Sequence, residues 1–201
     1  MRAKEDDQKL VRQICDGDIA SFRELVERHK KKVYYLAYDM TGDHHDAEDI
    51  SQEVFIKVFR FIKNFRQDAK LSSWIYQVTV NTCIDAQRKK KAKPQVLMES
   101  SQMESIHHTA SQKSTSLSEP ERKAFSGLLQ ERIRQMLHNV SPRERSVFVL
   151  RYYNDLKIGE IAEILNVSVN TIKSLLSRAK KKLKKEFSLY RDQPGLEAFY
   201  E

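Results

Sequence analysis

Cysteine, glycine and long apolar runs are all scarce in this chain, and each shortage excludes something. Cys15 and Cys83 are the only cysteines among 201 residues. They are far apart, with no CxxC and no Cys/His ligand spacing, so neither a disulfide framework nor a zinc site is expected. Both fall in apolar helical patterns and read as buried thiols of a reducing cytoplasm. With five glycines and abundant Leu, Ile, Lys and Glu, the composition favours an all-α protein. No apolar run approaches the roughly 20 residues of a membrane span, and the opening "MRAKEDDQKL" has no apolar signal core. A cytoplasmic protein without membrane insertion is expected. There is no Gly-rich nucleotide loop and no nucleophile constellation, which disfavours an enzyme. No cofactor and no metal is expected. The pairs His44-His45 and His107-His108 lie in polar turn or linker sequence and read as solvated.

Positive charge, by contrast, is abundant. The chain carries 36 Lys and Arg against 28 Asp and Glu, a net charge of +8, with a pI near 9.4. That balance points to a polyanionic partner. The charge is densest at the end of "EIAEILNVSVNTIKSLLSRAKKKLKK", Glu160 to Lys185. Ile161, Ala162, Ile164 and Leu165 have helical spacing, and Asn166 suits a left-handed C-cap. Ser168 can cap the next helix, whose Ile172, Leu176, Ala179 and Leu183 form one apolar stripe. Two short helices joined by a three- or four-residue turn read as helix-turn-helix. Between Ser168 and Phe187 seven Lys or Arg stand against one acid, Glu186. Asn170, Thr171, Lys173, Ser174, Ser177, Arg178 and Lys181 project away from the stripe, as groups suited to base edges and phosphates. A lysine run alone is equally a solvated helix end favoured by the helix dipole. The preceding helix-turn-helix tips the reading to DNA.

Four helical patterns fill the N-terminal half, about Asp6–Cys15, Ile19–Met40, Asp46–Ile62 and a fourth from near Ser73, which ends in "QRKKKAK" before Pro94. The stretch from Pro94 to Pro120 has seven serines and little periodicity, and reads as a flexible linker. Helices are expected from about Pro120 to His138 and from Ser141 to about Tyr153, the latter opened by the capping-box signal "SPRE". Two helical domains joined by a flexible linker are therefore expected, the second containing the helix-turn-helix. The boundaries fall at 1–93, 94–119 and 120–188, with a loosely held tail at 189–201.

Three blocks together resemble one family. "DAEDISQEVFIKVF" is similar to region 2.2 of the extracytoplasmic-function (group IV) sigma factors of the sigma-70 family. "FRQDAKLSSWIYQVTVNTCIDAQRKKK" is similar to regions 2.3 and 2.4. "LHNVSPRERSVFVLRYYNDLKIGEIAEILNVSVNTIKSLLSRAKKKLKK" is similar to region 4. With the "GDIASFRELVERH" start, the resemblance covers residues 7 to 188 apart from the linker. It implies a non-enzymatic subunit that binds bacterial RNA polymerase core and directs promoter-specific initiation through −10 and −35 elements. Region 2 would occupy the first domain and region 4 the third segment. The implied partners are core polymerase (the β′ clamp helices and β flap), promoter DNA and an anti-sigma factor.

The residues carry these roles one by one. Asp49, Gln52 and Glu53 share a helix face at i, i+3 and i+4, and an acidic and amide face on a basic protein suits protein rather than DNA. The resemblance makes it the site for the β′ clamp helices; read alone, it is also a solvated helix start favoured by the dipole. Trp74, Gln77 and Asn81, followed by Arg88, Lys89 and Lys90, would contact the −10 element, since aromatic and amide groups beside cations suit unstacked bases. Trp74 itself reads as mostly core, which leaves Gln77 and Asn81, one turn apart, as the better contact candidates. Asn170, Thr171, Lys173, Ser174, Ser177, Arg178 and Lys181 would meet the −35 element. The chain departs from the family pattern at Asn170 (often Gly), Leu175 (often Arg) and Val80 (often Thr). Leu175 puts an apolar group beside the DNA-facing side. Two rivals are an ordinary dimeric helix-turn-helix regulator and a decoy that binds polymerase but not DNA.

Overall fold

The structure, a computed structural model, describes residues 2–65, 69–92 and 133–190. The expected linker, the start of the helix expected near Pro120, the His107-His108 pair and the tail beyond 190 lie outside the described residues. Helices α1 (Arg2–Cys15), α2 (Ile19–Thr41), α3 (His44–Phe61) and α4 (Leu71–Ala92) come first, with a 3-10 turn at Ile62–Asn64. After a helical segment at 133–138 come α5 (Pro142–Tyr152), α6 (Ile158–Leu165) and α7 (Val169–Tyr190). No strand occurs among the described residues.

The local signals act as their chemistry requires. Asp18 caps α2 by accepting from the Ala20 N–H at 2.9 Å. Gly42, at φ 75°, closes α2 by donating to the Tyr38 carbonyl. Asp43 then caps α3 through the Asp46 N–H at 2.8 Å. Ser141 and Glu144 form the reciprocal capping box at the start of α5. α2, α3 and α4 pack on one another, and α1 lies along α2. Leu25, Leu36, Met40, Val54, Val58, Leu71 and Ile75 are all buried there. In the second body α5 and α6 both pack on α7, burying Leu150, Ile161, Ile172, Leu176 and Leu183.

Two expectations from sequence need correction. His44 is not a solvated turn residue. It begins α3 half-buried, its Nδ1 2.6 Å from the Tyr34 hydroxyl and its ring stacked on Tyr38 with centroids 4.2 Å apart. The paired tyrosines one turn apart on α2 supply an aromatic wall that periodicity alone does not reveal. Cys83 is fully buried, but Cys15 is only half-buried, at the edge of a pocket by the α1–α2 turn.

Candidate nucleic-acid and polymerase interfaces

α6 ends at Asn166, whose φ of 52° and ψ of 49° put it in the left-handed region. Its N–H and that of Val167 then close the helix end on the α6 carbonyls of Glu163 and Ala162. The chain turns within Asn166, Val167 and Ser168, and Ser168 Oγ accepts from the Thr171 N–H at 3.1 Å to start α7. The helix-turn-helix geometry read from the sequence is present. Ala162 and Ile172 are buried where the two helices meet.

Opposite the apolar stripe, Asn170, Thr171, Lys173, Ser174, Ser177, Arg178 and Lys181 are all exposed. At roughly 100° per residue they span an arc of about 160°. The Thr171 hydroxyl also lies 2.9 Å from Ser168 Oγ, so it belongs to the cap as well as to this arc. Leu175 is half-buried and packed against the core. It sits at the edge of the polar arc and turns toward the body, rather than standing out on the DNA-facing side.

The lysines of the second half of α7 are not equivalent. Lys182 Nζ lies 2.6 Å from Glu144 Oε2, joining α7 to the capping box of α5. Lys180 lies over the Tyr152 ring, 5.4 Å from its centroid. Lys181, Lys184 and Lys185 are exposed. Spacing alone gave no sign of this division of labour.

On α4, Trp74, Gln77, Asn81 and Arg88 fall within about 60° of one another around the helix. Trp74 is half-buried with its ring centroid 5.3 Å from that of Phe65, Gln77 is half-buried, and Asn81 is exposed. Arg88 and Lys89 are exposed, with Arg88 3.8 Å from Asp85. Lys90 does not join this face; it turns to the far side and pairs with Asp46 at the start of α3.

On α3, Asp49 and Gln52 are exposed and Glu53 is half-buried, so all three reach one open face. Glu53 lies 2.8 Å from Lys57, which in turn donates to Thr82 of α4. Asp49 is the less encumbered acid. Ile56 and Phe59, 51% and 53% exposed, continue the same face toward the end of the helix.

A basic helix in a helix-turn-helix, carried on the same chain as an acidic helix face, marks the class of helix-turn-helix proteins. Comparison with known sequences narrows this class. The family pattern of Sigma-70 region 2 matches residues 25–93, and that of Sigma-70 region 4 matches residues 130–183. The ECF RNA polymerase sigma factor SigW of Bacillus subtilis is 35% identical over 179 residues, which are 89% of this chain and 95% of that protein. The ECF RNA polymerase sigma-E factor of Escherichia coli K12 is 30% identical over 179 residues, 87% of this chain and 90% of that one. The chain belongs to the sigma-70 family, in its extracytoplasmic-function group. It is a promoter-directing factor whose partner is RNA polymerase core. Among solved structures, CnrH in complex with the cytosolic domain of CnrY matches with a TM-score of 0.63 at 20% identity, over 93% of this chain and 99% of that one. The sigma factor RpoE in complex with the anti-sigma factor NepR, from Bartonella quintana, matches with a TM-score of 0.57 at 20% identity, over 87% of this chain and 100% of that one. Both share the all-helical fold. No described helix is long and apolar enough to cross a membrane.

Proposed function

We propose that the three surfaces divide the work of promoter-directed initiation. The arc of α7 enters the major groove of the −35 element with Asn170, Thr171, Lys173, Ser174, Ser177, Arg178 and Lys181. The face of α4 bearing Trp74, Gln77, Asn81 and Arg88, with Lys89, handles the −10 element. Lys90 joins it only after leaving Asp46. Asp49, Gln52 and Glu53 dock on the β′ clamp helices, and the second body meets the β flap. The factor itself is not an enzyme; polymerase supplies the chemistry, and the factor works in the cytoplasm where polymerase acts. An anti-sigma factor is its expected antagonist. The domain limits follow this division: 1–93 for polymerase and −10 contacts, 94–119 as linker, 120–188 for −35 contacts and 189–201 as tail.

The observation that carries the reading is the unbroken exposed arc of α7, running from its capped N-terminus to Lys181 and holding no acid. Recognition helices present their N-terminal residues to base edges in this way. Adding the purified chain to core polymerase and mapping transcript starts tests it. Starts at one position, lost on changing either promoter element, are expected. Factor-dependent starts that ignore both elements would refute it.

A further inference from the structure

α5 packs on α2 and α4, and beside that contact an open cleft of about 440 Å³ remains. Its size is that of a small-molecule site. Hydrogen-bond donors reach it from several elements. Gln87 and Lys90 come from α4, His138 from the segment before α5, and Arg145 from α5 itself. Gly42 lines it too. A β-carbon on Gly42 would stand 2.7 Å from His138 Nε2, so the bare glycine leaves the imidazole its room.

Arg145 is a buried cation without a counter-charge. It is 5% exposed. Nη1 donates to the Met40 carbonyl at 2.7 Å, an acceptor that Gln87 also uses at 2.8 Å, while Nε has no partner. A carbonyl supplies a dipole but no charge. The neighbour that acts on the guanidinium electrostatically is the Cys83 thiol. Burial pushes that thiol up to about 12, so it is uncharged at neutral pH. Keeping a guanidinium in this state is costly, and a bound anion would supply what the fold leaves out.

The acids that line the cleft do not fill this role. Asp43 Oδ1 accepts from the Asp46 N–H as the cap of α3. Asp46 pairs with Lys90, whose side chain is 66% exposed. An exposed pair of this kind is weakly held, so Lys90 is available to a stronger acceptor. A phosphate group is such an acceptor, with close to two negative charges and three strong acceptor oxygens. Those oxygens suit donors that arrive from different elements, whereas a carboxylate offers only two in one plane.

We propose that this cleft binds a phosphate group, with Arg145 on one oxygen and Lys90 and His138 closing on the others. Inorganic phosphate and a nucleoside monophosphate both carry the required chemistry. The site is independent of the promoter and polymerase surfaces proposed above.

The test follows amide NMR of the isotope-labelled full chain during titration with sodium phosphate and, separately, with adenosine monophosphate, at constant ionic strength. Saturable shifts of the Gly42 amide and the Gln87 side-chain amide are expected, and sodium chloride alone should not produce them. Lys90→Gln should weaken phosphate binding by about tenfold. Lys31→Gln, which removes an exposed charge from α2, should leave it unchanged. Arg145→Gln should abolish binding; if that variant loses helicity, the shifts and Lys90→Gln decide the matter. Tighter binding of adenosine monophosphate than of phosphate assigns the rest of the cleft to a nucleoside. Equal or weaker binding assigns the site to free phosphate. Absence of saturable shifts, shifts confined to α7, the same shifts with sodium chloride, or equal effects of Lys90→Gln and Lys31→Gln would overturn the proposal.

Discussion

Glu144 joins two helices: its Oε2 accepts from Lys182 of α7 at 2.6 Å and from the Ser141 N–H, which opens α5, at 3.2 Å. Its side chain is only 7% exposed. Burial alone would raise its pKa, but the hydrogen bonds from Lys182 and Ser141 outweigh that and hold it below the ordinary glutamate value. The lowered pKa means a contribution that is complete above the unfolded-state value and is lost as pH falls through the folded-state one. Glu144→Gln should cost about 1–3 kcal/mol at neutral pH, and its deficit should shrink in acid. Thermal melts of both proteins from about pH 7 down to about pH 3 check this.

Asp39 behaves in the opposite sense. Burial pushes its carboxyl up to about 7, against the opposing pull of Arg134. The folded chain therefore holds this proton more tightly than the unfolded chain does. Stability from this group is greatest in acid, declines as pH rises from about 4 to about 7, and is flat beyond. Asp39→Asn should remove that slope and leave the protein relatively more stable at pH 8 than the wild type. Equal pH slopes for the two proteins would show that Asp39 is not the group responsible.

Asp49→Lys tests the proposed polymerase face with the least disturbance, because Asp49 is exposed whereas Glu53 is engaged with Lys57. Loss of a charge pair buried at the interface would cost about 2–5 kcal/mol of core affinity. Helicity should not change. A titration against core polymerase reads the affinity, and an unchanged value would remove Asp49 from the interface.

The helix-turn-helix was legible because its signals are local. Asn166, Ser168 and the stripe of Ile172, Leu176, Ala179 and Leu183 lie within one short stretch, and the capping box at Ser141 and Glu144 spans four residues. The seat of Arg145 on Met40 was not legible. Its partners are 105 residues apart, and an arginine after "SPRE" looks like any charged residue in a first helical turn. The same holds for Lys90, which reads as one of a basic run until Asp46 is found beside it. The setting of His44 was not legible for a related reason. Polar neighbours suggested solvent, while the rings that hold it, Tyr34 and Tyr38, belong to the previous helix.

The reading role of α7 is tested most directly by holoenzyme binding to promoters that differ in single −35 positions, measured at several salt concentrations. Lys173→Ala and Arg178→Ala change side chains proposed to meet base edges; Lys181→Ala and Lys184→Ala change charges farther along the helix. The first pair should each cost about 1–3 kcal/mol and relax preference at one −35 position. The second pair should weaken all sequences alike and lower the salt slope by about one. Equal loss on every −35 variant from all four substitutions would contradict the assignment, and α7 would then be an electrostatic contact that reads no sequence.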